Sequence, residues 1–192
     1  MKIGLMGGSF DPVHAGHLSA ARCAMTWLEL DKVIFIPAGK SPAKHHTPTT
    51  PGHHRIGMLR AAVADESRFE VSEFEVAAGG SSYTVNTVRE FRDRFPCDDL
   101  FWIMGSDKVP SLSQWRSIED IAQMVEFVCL ERPGHPLRTP ATSPGFNLRR
   151  CPSDLVDASS TDLRNRLKSK QPVGDLLSHK TIVYILKNDL YA

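Results

Sequence analysis

Short apolar runs alternate along the chain with segments whose apolar residues recur at helical spacing. The runs predict strands at residues 2–6, 33–37, 69–76, 100–104 and 126–130. The segments between them predict helices at 18–28, 56–64, 85–95 and 118–124. Alternating strands and helices imply right-handed crossovers and a parallel sheet. We therefore expect a Rossmann-like α/β fold, an open, mainly parallel sheet flanked by helices, with ligands at the carboxyl ends of the strands.

The pattern changes after the fifth predicted strand. Residues 132–146 form a stretch rich in Pro, Gly and Thr, followed by a short segment at 147–150. Helical spacing returns at 161–170 and 178–188. We predict a single domain over residues 1–192, with a C-terminal helical cap over about 155–192, because 192 residues are the length of one ordinary domain.

Composition narrows the classes of partner. The 23 basic and 22 acidic side chains nearly cancel, so no broad positive field favours a nucleic acid partner. No window approaches the roughly 18 apolar residues of a membrane span, and the first residues lack the pattern of a secretion signal. The four cysteines form no CxxC pair and no zinc-like spacing, which favours reduced thiols and a cytoplasmic location.

The loop after the first strand has the character of a phosphate site. Gly7 and Gly8 let a phosphate approach the backbone at Ser9 and Phe10, and a helix N-terminus follows near residue 16. His14 and His17 are three residues apart, so both can face one phosphate group. Neither GxGxxG nor a P-loop is present. The alternatives are an ordinary turn with surface histidines and, more weakly, a metal site that lacks the glutamate of zinc proteases.

A second anion-binding pattern lies near the end of the chain. Ser159, Ser160 and Thr161 precede an apolar-periodic segment, so a hydroxyl can cap that helix while the remaining amides face an anion. Arg164, one turn further, can make a forked contact to phosphate oxygens. The alternative is an ordinary N-cap with a solvated arginine.

These motifs resemble a known family. Gly-Gly-Ser-Phe-Asp-Pro-Val-His-Ala-Gly-His, at residues 7–17, is similar to the signature of the HxGH nucleotidyltransferases, and in particular of the bacterial nicotinate-mononucleotide adenylyltransferases. The resemblance covers nearly the whole chain. Its further blocks, in order, are 37–44, Ser82-Tyr83-Thr84, Gly105-Ser106-Asp107, Trp115, 132–134, 159–164, Leu176-Leu177, Val183-Tyr184-Ile185 and Leu190-Tyr191.

The resemblance implies that the 5'-phosphate of nicotinate mononucleotide attacks the α-phosphorus of ATP and releases pyrophosphate. It implies that His14 and His17 are catalytic at the α- and β-phosphates and that Lys44 binds phosphate. The loop of Lys44 reads Ser-Pro-Ala-Lys where the family usually has Pro-Pro-His-Lys, so the charge is kept and a histidine is missing. The alternative for Lys44 is a basic loop beside His45 and His46. Magnesium is expected to accompany ATP, with no protein metal ligands.

The resemblance also implies an acceptor site of Tyr83, Thr84, Asp107 and Trp115. An indole can stack on a pyridine ring, although Trp115 can equally pack in the core. Asp107 follows the fourth predicted strand, at the edge of a parallel sheet where ligands bind. The preference for nicotinate over nicotinamide is inferred from the family alone. Oligomeric state, including a homodimer, is left open.

Other functions are compatible with parts of this pattern. An adenylyltransferase for phosphopantetheine is one, although that family usually has Thr in place of His14 and lacks the acceptor set. A non-catalytic nucleotide-binding module is another, but such a module has no need of two histidines suited to a transition state. We therefore expect an adenylyltransferase with ATP and a pyridine mononucleotide as its small-molecule substrates.

Overall fold

In a computed structural model, which describes residues 1–40, 50–131, 148–152, 156 and 158–192, the chain forms a six-stranded sheet. All neighbouring strands are parallel, in the order β3-β2-β1-β4-β5-β6. The strands are β1 (Lys2–Gly8), β2 (Lys32–Pro37), β3 (Phe69–Val71), β4 (Asp99–Gly105), β5 (Glu126–Leu130) and β6 (Leu148–Cys151). The predicted open α/β fold is confirmed.

Seven α-helices connect or flank these strands within the described ranges. They are α1 (Ala15–Leu28), α2 (Gly52–Val63), α3 (Phe74–Ala78), α4 (Thr84–Arg94), α5 (Ile118–Met124), α6 (Ser160–Lys168) and α7 (His179–Lys187). A 3-10 helix, Ser106–Gln114, follows β4, and a shorter one spans Gly174–Leu176. Among the helices of the described ranges, none combines the length and apolar character that crossing a bilayer would require.

Two elements differ from the prediction. The strand predicted at 69–76 is wrong beyond Val71, because Ser72 accepts a hydrogen bond from the Phe74 N–H (3.2 Å) and opens α3. The segment at 147–150 gains a strand, β6, at the edge of the sheet. Arg149 and Arg150 of β6 are exposed, so this strand lacks the continuous apolar run that marks the buried strands.

The sheet is covered on both faces, because successive strand residues point to opposite sides. Met6, Phe35 and Ile103 belong to one buried cluster, which α1, α2, α6 and α7 complete. Leu5 and Trp102 belong to the other, which contains residues of α4, α5 and the first 3-10 helix. Fully burying each such side chain contributes about 1.5–3 kcal/mol, so the two layers stabilise the sheet from both faces.

The strand order reverses at β1. The chain moves from β1 through β2 to β3 on one side and through β4 and β5 to β6 on the other. Connections that leave β1 and β4 in opposite directions open a crevice at the carboxyl ends of these strands. The loop with the two histidines begins at that crevice.

Candidate active site

The histidine loop joins β1 to α1, from Gly8 to His14. Its start is fixed to the neighbouring strand, because the Ala38 N–H donates to the Gly8 carbonyl (2.8 Å). A Cβ atom at Gly7 would lie 2.9 Å from Cζ2 of Trp102. Glycine at this position therefore makes room for the indole of β4, in addition to leaving the backbone open toward a ligand.

Phe10 anchors the loop from below. Its side chain is 1% exposed and packs edge-on against Phe35, with ring centroids 5.7 Å apart. Its backbone adopts a left-handed conformation (φ 49°) that turns the chain over the sheet. The place of Phe10 in the predicted phosphate site therefore rests on its backbone. Only the backbone of Phe10 can face a ligand.

His14 and His17 come together at the start of α1. His14 is the residue before the first helical turn, and the two imidazole rings stack with centroids 3.7 Å apart. The His14 N–H donates to Nδ1 of His17 at 3.3 Å. In a neutral imidazole that accepts at Nδ1, the proton is on Nε2. His17 is therefore set to donate from Nε2, and His14 is buried beside it.

The N-terminus of α6 lies against this loop. The Ser160 hydroxyl donates to the Pro12 carbonyl (3.0 Å), and Nη1 of Arg164 donates to the Asp11 carbonyl (2.6 Å). The other Arg164 amino group reaches the Thr161 hydroxyl (3.2 Å). The structure therefore brings the two predicted anion-binding motifs into one site, although they are far apart in sequence.

The first turn of α6 differs from the prediction in one respect. Ser159 is the N-cap residue, but its side chain makes no capping hydrogen bond, so the predicted hydroxyl cap is wrong. The hydroxyl of Ser160 is directed to Pro12 instead. A helix start without a side-chain cap keeps backbone amides available to an anion, and the helix dipole favours negative charge there.

Arg55 and Asp11 support the loop from within the protein, and neither was predicted as a site residue. Both are 2% exposed. Arg55 donates to the Ser9 carbonyl (2.8 Å) and to the Thr50 carbonyl (3.1 Å). Burial lowers the pKa of the Arg55 guanidinium, and the Asp11 carboxylate opposes this shift. The sequence signal was weak, since Arg55 is a single charge on the apolar face of α2.

Tyr83 and Thr84 start α4, on the other side of the crevice. Tyr83 is the N-cap and Thr84 the first helical residue; both are half-buried, and this helix also begins without a side-chain cap. The preceding Ser82 accepts a hydrogen bond from the Gly39 N–H (2.9 Å), which ties this turn to the end of β2. The guanidinium of Arg116 lies 5.0 Å from the centroid of the Tyr83 ring. Arg116 was not singled out from the sequence.

Trp115 and Asp107 flank the 3-10 helix after β4. The Trp115 indole is half-buried and packs edge-on against Trp102 and Phe127, with ring centroids 6.3 and 6.4 Å apart. The core-packing interpretation of Trp115 therefore holds for part of the ring. Asp107 forms an ion pair with Lys108 (2.8 Å). Its place just beyond the carboxyl end of β4 agrees with the predicted position.

A buried carboxyl group holds the turn at Ser82, just before α4. Glu75 of α3 accepts a hydrogen bond from the Thr87 hydroxyl at 2.6 Å, deep between α3 and α4. Burial raises the pKa of Glu75, while the hydrogen bonds from Thr87 and Ser82 and the charge of Arg55 oppose the rise. Glu75 thereby connects α4 to the Ser82 turn.

Two predicted segments lie outside the described residues. Lys44 belongs to residues 41–49, and the Arg132-Pro133-Gly134 block belongs to residues 132–147. The contribution of Lys44 to the site therefore stays a prediction. Among the described residues, no group of three or more His, Cys, Asp or Glu side chains is arranged to hold a metal ion.

An open parallel sheet with paired histidines and two helix N-termini at its switch point is the arrangement expected of the nucleotidyltransferase class. A family model described as cytidylyltransferase-like matches residues 5–166. A protein of Opitutus terrae named "Probable nicotinate-nucleotide adenylyltransferase" is 46% identical over 100% of this chain and 98% of its own. A protein of the same name from Thermus thermophilus is 42% identical over the full length of both chains.

Solved structures agree at the level of the fold. A nicotinic acid mononucleotide adenylyltransferase of Plasmodium falciparum, complexed with NaAD, aligns with a TM-score of 0.76 at 20% identity, over 99% of this chain and 97% of that one. The chain thus belongs to the cytidylyltransferase-like family and, within it, to the nicotinate-nucleotide adenylyltransferases.

Proposed function

We propose that the chain transfers the adenylyl group of ATP to nicotinate mononucleotide, giving nicotinate adenine dinucleotide and pyrophosphate in NAD biosynthesis. The observation that carries the proposal is the stacked pair His14 and His17, fixed at the start of α1 and next to the start of α6. Full-length similarity to nicotinate-nucleotide adenylyltransferases supports the choice of acceptor.

The reaction is a direct displacement at the α-phosphorus. A phosphate oxygen of the acceptor forms a new bond to this phosphorus, and the bond to the oxygen bridging the α- and β-phosphates breaks. The electron pair of the broken bond leaves with pyrophosphate. Because no covalent intermediate is needed, the protein acts by alignment and by neutralising charge.

The histidines supply that neutralisation. His17 donates from Nε2, and His14 lies against it, so both imidazoles can reach oxygens of the α- and β-phosphates. Negative charge on these oxygens grows as the leaving group departs, so a fixed donor stabilises the transition state more than bound ATP. His14 and His17 are the catalytic residues of the proposal.

The triphosphate lies along the loop and the start of α6. Backbone amides of Gly8, Ser9 and Phe10 and of the Ser159-Ser160-Thr161 turn contact its oxygens, with Gly7 leaving room beside β4. Arg164 adds a positive charge, and its bond to the Asp11 carbonyl sets the direction of its guanidinium. Lys44, which lies outside the described residues, contributes a second positive charge to this proposal. Magnesium enters as part of the MgATP substrate and compensates the charge of pyrophosphate.

The acceptor occupies the crevice between α4 and the first 3-10 helix. The exposed part of the Trp115 indole stacks on the pyridine ring, while Tyr83, Thr84 and Asp107 fix its substituents. The start of α4 lacks a side-chain cap, and its dipole favours an anion. A carboxylate therefore gains more at this position than a neutral amide, which supports nicotinate over nicotinamide.

Turnover by the purified protein tests the proposal. The protein is incubated with MgATP and, in separate reactions, nicotinate mononucleotide, nicotinamide mononucleotide and phosphopantetheine, and pyrophosphate release is measured. We expect the highest kcat/KM with nicotinate mononucleotide. Absence of turnover with both pyridine mononucleotides overturns the proposal, and binding of ATP without turnover of any acceptor favours a non-catalytic module.

Location and assembly belong to the same proposal. The four cysteines, Cys23, Cys97, Cys129 and Cys151, are free thiols, as the reducing cytoplasm would maintain them. We propose a cytoplasmic enzyme with its two small substrates as partners. The oligomeric state, including a homodimer, is left open, and analytical ultracentrifugation of the purified protein would determine it.

A further inference from the structure

Tyr191 touches the histidine loop from the far end of the sequence. Its hydroxyl donates a hydrogen bond to Oδ1 of Asp11 at 2.6 Å, across 180 residues of sequence. The Asp11 side chain is 2% exposed, and Tyr191 is half-buried. A hydrogen bond from a phenol to a shielded carboxylate is short and stronger than one between neutral groups. The contact can therefore hold Asp11 in one orientation.

A structured turn delivers the phenol to this position. After α7 the chain reverses at Asp189, which has a left-handed backbone (φ 48°), and the Leu190 N–H donates to the Ile185 carbonyl (3.1 Å). Leu190 and Tyr191 then pack against the core cluster on the face of the sheet with α1 and α2. The Tyr191 hydroxyl also lies 3.8 Å from Sδ of Met58 in α2. Residues 188–191 thus form part of the packed structure.

Asp11 is where several supports of the loop converge. Its Oδ2 accepts from the Thr50 N–H (3.4 Å), and its carbonyl accepts from Arg164 (2.6 Å). Arg55, buried beside it, contributes the opposite charge. Asp11 lies only three residues before His14. A rotation of Asp11 would therefore shift the backbone that aims both histidines.

We infer that Tyr191 is a positioning residue for adenylyl transfer, which fixes the orientation of His14 and His17 through Asp11 without touching either substrate. The inference rests on the proposed function. Burial and the neighbouring Asp11 carboxylate raise the pKa of the Tyr191 phenol, so it stays a hydrogen-bond donor throughout the neutral range.

Tyr191→Phe tests the inference, because it removes only the hydroxyl. Tyr184→Phe is the matched control: it removes a hydroxyl of α7 that lies 3.2 Å from Nδ1 of His54 in α2. We expect kcat of Tyr191→Phe to fall by about tenfold to a hundredfold, the range for displacements of up to about 1 Å in a reacting group. KM for ATP should change by less than about threefold, because ground-state contacts are kept. Tyr184→Phe should keep its kcat.

The kinetics are measured well below the melting temperature of each variant, and circular dichroism gives the folded fraction. A kcat for Tyr191→Phe equal to that of the wild type overturns the inference, as does a loss explained by unfolded protein alone. In an Asp11→Ala background, Tyr191→Phe should cause no further fall in kcat. An equal fall in both backgrounds would show that Tyr191 does not act through Asp11.

A readout without turnover separates this inference from the proposed function. The Cε1–H proton resonances of His14 and His17, assigned with single histidine variants, report the loop geometry directly. They should shift in Tyr191→Phe and stay in place in Tyr184→Phe, and unchanged resonances in Tyr191→Phe overturn the inference. An inactive wild type would refute the proposed adenylyl transfer, while the resonances would still decide whether Tyr191 orients the loop.

Discussion

Replacing His17 by Asn separates two roles of this residue, one structural and one proposed for catalysis. Nδ1 of His17 accepts a hydrogen bond from the His14 N–H at the start of α1, and Nε2 is the donor proposed to face the phosphates. The side-chain amide of Asn reaches as far as Nδ1 but not as far as Nε2. His17→Asn therefore keeps an acceptor for the His14 N–H and removes the donor. His17→Ala removes both.

The expected losses can be separated as well. Removing one preorganised donor to a developing negative charge costs about 10²–10³ in kcat, or about 2.7–4 kcal/mol. Losing the hydrogen bond to His14 costs about 0.5–1.5 kcal/mol of folding stability. Both variants also lose the edge contact between His17 and Phe10, whose centroids are 4.9 Å apart. We expect kcat to fall equally in the two variants, and we expect His17→Ala to lose more stability than His17→Asn.

Pyrophosphate release under saturating substrates gives kcat, and thermal unfolding followed by circular dichroism gives the stability. For a chain of 192 residues, 1 kcal/mol shifts Tm by about 2–4 °C, so the difference between the variants is measurable. KM for ATP should change by less than about threefold in both variants. If His17→Asn retained a kcat within about threefold of the wild type, Nε2 could not be the donor that the mechanism requires.

Three further predictions concern the fold around the site. A Cβ atom added at Gly57 of α2 would clash with the phenol of Tyr184, so Gly57→Ala should lower the free energy of unfolding in urea by about 1–3 kcal/mol despite the better helix propensity of alanine. Adding Tyr184→Ala should remove the clash. A Gly57→Ala variant more stable than the wild type would contradict the packing. Burial raises the pKa of Glu75 above its ordinary value of 4.5, so the wild type loses stability as the pH rises through the folded-state pKa. Glu75→Gln still accepts a hydrogen bond from Thr87 but does not titrate. As the pH rises above 4.5, the unfolding free energy of the variant should therefore increase relative to that of the wild type and then level off. A difference that stays constant with pH would refute the raised pKa of Glu75. Burial raises the pKa of the Cys129 thiol to about 12, whereas Cys97 is exposed. An aromatic disulfide reagent at neutral pH should therefore modify Cys97 in the folded protein and Cys129 only after unfolding. Labelling of both thiols at similar rates in the folded protein would disprove this, and Cys97→Ser is the control.

The central strands were predictable because each is buried on both faces and reads as an apolar run. β6 was not, because Arg149 and Arg150 point to solvent at the edge of the sheet and leave only Leu148 and Cys151 to pack inward. The segment after Val71 was misassigned for a related reason. Phe74 and Val76 alternate like strand residues, while the burial of Glu75 against Thr87 depends on α4, which lies further along the chain.

The residues of the candidate site likewise divide into those that could be predicted from the sequence and those that could not. Gly7, Gly8, His14 and His17 form a local motif whose chemistry can be read from its spacing. The supports of that motif are long-range contacts: Arg55 to Ser9, Ser160 to Pro12 and Tyr191 to Asp11 join segments that carry no shared pattern. Phe10 shows that a motif can also hide a structural role, because its place in the motif does not indicate that its side chain belongs to the core.

Because α6 is attached to the histidine loop, we expect ATP binding to be coupled to the folding of this part of the protein. In the proposed binding mode ATP contacts both the histidine loop and α6, so it can bind only while α6 stays docked. At a concentration 100 times its Kd, a ligand of this kind stabilises the folded state with α6 docked by about 2.7 kcal/mol. Amide hydrogens of α6 should then exchange about a hundredfold more slowly with saturating ATP, whereas the central strands, already protected by the core, should change little.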